Sequence, residues 1–308
     1  MSAHGSAPLG ATAGGIGAER LARYTLSSAR ARRDKLARAS ILAGTAIALL
    51  PLILIVYYLL HKGLGAWSTS FFTTDPTGST FFGGSSIGGI KSAILGTIEI
   101  VALASAISVP IGIGVAIWLV EYGRGSWFAK TVRFFVDVLT GVPSIVFGLF
   151  VYIVLIVGTG SSYAAYKGSI ALSLLMLPIV IRSAEVILLL VPSALRESAL
   201  ALGAPRWRVI FSIVLPTALP GMVTGVLLAI ARAAGETAPL LFTAAATLGT
   251  SFNLGGFMNS LPVQIYKDVT SPTTAVVNRA WGAALTLVVM ILLLNLMARL
   301  IARRSRLA

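Results

Sequence analysis

Cysteine is absent from the chain, which excludes a disulfide framework and a thiolate metal site and leaves redox state silent about compartment. Histidine occurs twice, His4 in a polar tail and His61 at the end of an apolar run, so histidine catalysis and a His-rich metal cluster both lack the residues they need. Charge is scarce, at 11% of residues, against 56% hydrophobic residues. With a mean hydropathy of +0.91, the composition lies outside the range of soluble domains and predicts a membrane-embedded chain. A net charge of +14 would suggest nucleic acid in a soluble protein. Here the basic residues cluster at the two ends and in alternate loops, which is a topology signal rather than a nucleic-acid footprint.

Crossing a bilayer as a helix takes about 20 predominantly apolar residues. Six stretches qualify, at 41–60, 92–120, 134–157, 169–191, 219–246 and 280–301, and they predict an all-α membrane protein of six transmembrane helices. The predicted organisation is a basic tail (1–40), a first span (41–60), an external loop (61–91), a core of five spans (92–301) and a short C-terminal tail (302–308). Residues 1–40 are too long and too basic for a cleaved leader. Their second half, with Leu21, Tyr24, Leu26 and Leu36 among arginines, suits either a surface-lying basic helix or a disordered tail. With the N-terminus inside, 17 of the 24 Lys and Arg residues fall in cytoplasmic segments. Five (Lys62, Lys91, Lys167, Lys267 and Arg279) fall outside, and Arg182 and Arg232 fall within spans. The positive-inside rule therefore predicts both termini in the cytoplasm of a cell (inner or plasma) membrane protein. The external loop carries Phe71, Phe72, Phe81, Phe82 and the run Gly83–Ser86, and a second large external segment spans 247–279, so an external partner has surfaces to bind.

The third cytoplasmic segment holds the most specific motif. Glu197-Ser198-Ala199 is followed after three residues by Gly203, and nine residues later by Ile213-Val214-Leu215-Pro216. Leu195 to Leu202 is a run of good helix formers, stopped by Gly203 and Ala204-Pro205. The pattern resembles the "EAA" loop of ABC importer permeases, with Ser198 in place of the usual alanine. The resemblance implies a type I importer architecture in which a cytoplasmic coupling helix docks on an ATP-hydrolysing subunit. Glu197, Ala199, Gly203, Ile213, Leu215 and Pro216 are then the coupling-loop residues. The chain has no nucleotide-binding loop of its own: the run Gly84–Ser92 lacks the glycine required before its lysine. ATP and Mg are expected on a partner ATPase, with no cofactor on this chain. No HExxH, Ser/His/Asp set or paired-Asp site is present to support a membrane hydrolase.

Charges inside the spans are costly, roughly 2.5–3.5 kcal/mol each on insertion scales. Arg182 and Glu185 are three apart, Arg232 and Glu236 four apart, so each arginine has a counter-ion on its own helix face. Counting from the predicted inner ends of their spans, both arginines come near the midplane at comparable depth. No other basic side chain is expected within the six spans, and Asp137, a turn inside its span, can face water. Two guanidinium forks converging on one tetrahedral oxyanion suit anion transport. The same spacing also suits structural ion pairs that lock helices together, and spacing alone does not separate the two.

Four further runs narrow the resemblance. They are Ala231-Arg232-Ala233-Ala234-Gly235-Glu236-Thr237-Ala238-Pro239-Leu240-Leu241-Phe242-Thr243-Ala244, Gly141 to Leu149 (GVPSIVFGL), Pro110 to Gly114 with Glu121-Tyr122, and Arg182-Ser183-Ala184-Glu185. Together they resemble the PstA-type family of phosphate permease subunits, over residues 90–300. The resemblance implies phosphate as cargo, with Arg182, Glu185, Arg232 and Glu236 on its pathway. It also implies a PstC-type sister permease, two PstB-type ATPase subunits and an external PstS-type phosphate-binding protein as partners in the lipid membrane. Alternatives left open are a permease of the same superfamily for another oxyanion or small solute, and an ion-coupled secondary transporter using Glu99, Glu185 and Glu236.

Overall fold

The computed structural model describes residues 28–76 and 87–304, and within them every named element is helical. The first 27 residues with Arg20, Leu21, Arg23, Tyr24 and Leu26, the run Phe81–Ser86, and the last four residues lie outside the described residues. Internal contacts divide the chain into units 1–57 and 58–308. Helix α1 (Ser28–Ala66) begins in the first, well inside the predicted tail, and ends in the second. From Ile41 onward it exposes Ile41, Ile47, Leu50, Ile53 and Ile55, the all-round apolar surface of a lipid-facing helix.

The second unit holds the remaining elements. They are α2 (Thr69–Thr73), α3 (Lys91–Ile117, continued by a π-helical turn Trp118–Tyr122), α4 (Trp127–Thr140) and α5 (Ser144–Tyr152, continued by a π turn Ile153–Val157). Then come α6 (Ala165–Leu190), α7 (Ser193–Ala201), α8 (Arg206–Ala234, with a π turn at Ile210–Val214), α9 (Ala238–Thr243), α10 (Leu261–Val269) and α11 (Thr274–Arg304). Among the described residues, five helices are long and apolar enough to cross a membrane, and a sixth crossing results if α4 and α5 count as one bent span.

That bend corrects the third predicted span. Residues 134–157 do not form one helix: the chain turns by 101° between α4 and α5. The cause is local, since Pro143 cannot continue a helix and disfavours helical backbone at Val142. The fifth predicted span, 219–246, is corrected in the same way. Its helix already starts at Arg206 and ends at Ala234, capped by Gly235, before Pro239 opens the separate α9. Within α8, Pro216 lacks the N–H that an α-helix needs, and the wider π turn lies immediately before it.

Small residues set the core. α3 and α6 run parallel with a constant offset: Ser169 Oγ donates to the Ile100 carbonyl at 3.0 Å, and Ser108 Oγ to Met176 Sδ at 3.7 Å. A Cβ on Gly112 would fall 2.7 Å from Val180. Without a hydrophobic drive between helices in lipid, such close backbone approach supplies the packing energy. α8 runs antiparallel to α6, with Gly221 against Ile187 and Gly225 against Ser183. One apolar cluster, including Ile100, Leu172, Met176, Val180, Ala229, Ala233 and Leu240, joins α3, α6, α8 and α9. A second, including Val120, Leu188, Ala199, Val209 and Val214, seats the short α7 against the ends of its neighbours.

At the far end from α7, α2 and α10 pack on α3 and α11 through Phe71, Ile90, Ala93, Leu261 and Ala283. Asp75 ties this cap together by accepting from Thr250 Oγ1 at 2.6 Å, Thr250 N at 2.9 Å and Ser92 N at 3.1 Å. Beneath it, Arg279 forks onto Asp268 with two 2.8 Å bonds and also donates to the Ile87 carbonyl, while Gln264 Nε2 donates to Asp268 Oδ1 at 2.8 Å.

Candidate functional site

The midsection of α6 carries Arg182 and Glu185 on one face, as their spacing predicts, with 3.2 Å between Arg182 Nη1 and Glu185 Oε2. Glu185 is 3% exposed, while the Arg182 side chain is 49% exposed. A second arginine reaches the same carboxylate: Arg133, on α4, places Nε 2.5 Å from Glu185 Oε1. Asp137, one turn further along α4, lies 3.7 Å from Arg182 Nε. α4 and α6 thus share two cations and two anions in one neutral cluster. Arg133, one residue before the predicted span, thus joins these charges, and Asp137, exposed as expected of a water-facing carboxylate, also comes near Arg182. The bend after α4 explains both, because it lays the helix alongside α6.

Arg232 pairs with Glu236 across the end of α8, Nε to Oε1 at 3.5 Å, with the arginine side chain 47% exposed. A cation in the last helical turn also complements the negative end of the helix dipole. The break that follows is fixed by close packing: a Cβ on Gly148 of α5 would lie 2.6 Å from Pro239 Cα at the start of α9. Two of the runs that carried the family resemblance therefore meet each other.

The α6–α8 register refines the expected comparable depth of the two arginines. With Gly225 facing Ser183 and Gly221 facing Ile187, Arg232 comes level with Met176, six residues from Arg182. At 1.5 Å per residue this is about 9 Å along the helix axes. Arg182 opens on a groove of about 1000 Å³ between α6, α8 and α11, which Ser183, Gly225, Asn295 and Arg299 also line. Both arginines retain N–H donors beyond those aimed at their acidic partners, so each can engage an oxyanion. Glu99, on α3, makes no hydrogen bond or ion pair among the described residues.

The coupling-loop residues run from α7 (Glu197, Ala199) through the link (Gly203) to the π turn of α8 (Ile213) and the two residues after it (Leu215, Pro216). α7 ends where predicted: Gly203 adopts φ +80°, Gly203 N bonds to the Leu200 carbonyl at 3.0 Å, and Ala204 N to that of Ala199 at 3.3 Å. Only glycine takes that backbone readily. Ala199 is buried, Ile213 and Leu215 pack partly buried against the same cluster, and Glu197 and Pro216 are exposed. Leu195, Leu200 and Leu202 are exposed too, Leu202 at 89%, leaving an apolar face uncovered. Sequence reading missed Arg196. Its guanidinium is buried, donates to Glu121 Oε1 at 3.0 Å, and caps the Val191 and Leu188 carbonyls at 2.6 and 2.8 Å. The basic pattern of the loop offered no sign that one of its arginines turns inward.

Comparison with known proteins agrees with this architecture. Residues 108–307 match the family described as binding-protein-dependent transport system inner membrane components. The phosphate transport system permease protein PstA of Yersinia pestis is 41% identical over 279 residues, 90% of this chain and 92% of that protein. The PstA of Mycobacterium leprae is 47% identical over 210 residues, 68% and 69% of the two. Among solved structures, a bacterial alginate ABC transporter aligns with a TM-score of 0.62 at 17% identity, covering 89% of this chain and 96% of the other. The MetNI methionine ABC transporter aligns at 0.57 and 21%, covering 69% and 94%. These likenesses show the type I ABC importer permease fold. The chain is a multi-pass inner membrane protein and belongs to the binding-protein-dependent transport permeases and, within them, to the PstA family of phosphate transport permease subunits.

Proposed function

We propose that this chain forms half of the translocation pathway of an ATP-driven inorganic phosphate importer and couples that pathway to ATPase subunits. The observation that carries the reading is a pair of half-exposed arginines on adjacent helices, each with an acidic partner that neutralises it while the pathway is empty. Their axial offset suits a relay in which the anion passes from Arg232 to Arg182. A phosphate in a low-dielectric passage needs such compensation, because unpaired charge there is very costly.

A PstC-type subunit completes the pathway, two PstB-type subunits bind ATP and Mg and hydrolyse the nucleotide, and a PstS-type protein delivers phosphate. The exposed leucines of α7 are the docking face for an ATPase subunit. The distribution of basic residues supports both termini, and α7, lying in the cytoplasm. Of the three carboxylates that ion-coupled transport would use, Glu185 is held by two guanidinium groups and Glu236 by one, which leaves Glu99 as the one unpaired among the described residues and disfavours a three-carboxylate relay.

The test is uptake of labelled phosphate by membranes containing the assembled complex. Arg182→Gln and Arg232→Gln are each expected to abolish uptake while ATP is still hydrolysed, and Arg→Lys to keep a reduced rate, since lysine retains charge without the planar fork. Normal uptake by the double glutamine variant would make both arginines structural.

A further inference from the structure

A series of polar contacts, bridged once by the backbone of a π turn, runs from the coupling helix to Arg182. It starts at Arg196, whose buried guanidinium holds three elements at once: its own α7, the last carbonyls of α6 through Leu188 and Val191, and Glu121 in the π turn that ends α3. In the same π turn, the Leu119 carbonyl accepts Arg133 Nη2 at 3.0 Å. Arg133 in turn holds Glu185 at 2.5 Å, and the other oxygen of Glu185 holds Arg182 at 3.2 Å. We propose that Arg196, Glu121, Arg133 and Glu185 are positioning residues that carry movement of the coupling helix to Arg182 and so set when that arginine is free for the anion. This deepens the transport reading above and rests on it.

Three features favour a moving linkage over a static brace. The π turn at Trp118–Tyr122 is the one segment of α3 with i→i+5 bonding, the geometry that recurs at functional sites and can shift register at least cost. The fork of Arg196 leaves little slack, so a displacement of α7 must move the π turn, the end of α6, or both. The contacts also loosen towards the groove: Arg133 to Glu185 is 2.5 Å, Glu185 to Arg182 is 3.2 Å, and Arg182 to the exposed Asp137 is 3.7 Å. The last is the contact most easily exchanged for a ligand oxyanion.

Two measurements on the assembled complex test the proposal. The first is phosphate imported per ATP hydrolysed. Glu121→Gln and Arg133→Gln, which do not touch each other, should each lower that ratio, by roughly 2- to 30-fold as is usual for residues in a coupling network. The double variant should be no worse than the weaker single. A wild-type ratio in both single variants, or a double loss equal to the product of the two, overturns the linkage.

The second measurement does not depend on cargo. Because the chain has no cysteine, Val186→Cys, on the groove beside Arg182, gives a unique thiol. Its labelling rate by a small reagent should change on ATP binding, and Glu121→Gln or Arg133→Gln should remove that change. Persistence of the ATP response in both variants overturns the proposal. If the glutamine variants fail to assemble, Glu121→Asp and Arg133→Lys are read the same way. A parent complex that imports no phosphate, yet shows a thiol response that the variants abolish, would overturn the cargo reading and leave the linkage standing.

Discussion

The fork of Arg279 on Asp268 makes a quantitative prediction. Both side chains are buried, the pair makes two bonds of 2.8 Å, and Arg279 also supplies a donor to the Ile87 carbonyl. Arg279→Met keeps an unbranched apolar stem but strands the Asp268 carboxylate with Gln264 as its remaining side-chain donor. Breaking a buried pair from one side costs about 3–5 kcal/mol, because an uncompensated charge stays in a low dielectric. That is roughly two to three and a half orders of magnitude in the folding equilibrium, at roughly tenfold per 1.4 kcal/mol. Adding Asp268→Asn removes the charge while its side-chain oxygen can still accept from Gln264. The double variant should then retain the smaller costs of neutral groups left unpaired, the Ile87 carbonyl and the amide N–H placed where Arg279 donated, about 1–3 kcal/mol each. Thermal unfolding of the detergent-solubilised chain, followed by tryptophan fluorescence, should rank wild type above the double variant and the double above Arg279→Met. An Arg279→Met protein no less stable than the double would show that charge compensation is not what this contact provides.

Two more outcomes follow from backbone and titration. Gly203→Leu places a branched side chain at φ +80°, a cost of about 1–2 kcal/mol, and should lower phosphate uptake per ATP with expression intact. Gly203→Asn should be milder, because asparagine tolerates that conformation, and normal transport by Gly203→Leu would refute the coupling role of α7. Asp75 is pushed up by burial. The bonds from Thr250 and Ser92 and the nearby charge of Lys91 outweigh that, and hold its carboxyl below the ordinary 3.8. A depressed folded value contributes stability that is fully present above 3.8 and lost as pH falls through the folded value. Hydrogen-exchange protection of the Thr250 and Ser92 amides should therefore be full from neutral pH down to the ordinary 3.8 and be lost only as pH falls further, through the lower folded value. Loss of that protection already near pH 6 would contradict the assignment.

The sequence revealed whatever depends on neighbours along the chain. Apolar length located the crossings, and spacings of three and four paired Arg182 with Glu185 and Arg232 with Glu236. Gly203 marked the end of α7 because a left-handed terminus has a residue preference. Contacts across the fold left no such trace. Arg133 lies 52 residues from Glu185 and Arg196 lies 75 from Glu121. Each looked like one more loop cation in a count of topology signals. Arg279 read as an external charge, though it is buried against Asp268 across a helix turn. The offset between the two arginines was only partly legible: counting inward from predicted span ends gives comparable depths, whereas the α6–α8 register, set by Gly221 on Ile187 and Gly225 on Ser183, is a contact across the fold.

The meeting of Gly148 with Pro239 has a mechanical consequence. With no side chain on one partner and a ring-locked backbone on the other, α5 and α9 touch main chain to main chain. A compliant spacer, such as a leucine changing rotamer, is missing from that point. α5 can pivot about it as about a fulcrum, but it cannot press closer, and the arm beyond the fulcrum on the α9 side begins within a few residues of Arg232. The position of that arginine is therefore held from two sides, by the α6–α8 register and by a main-chain contact that has no side chain to give way.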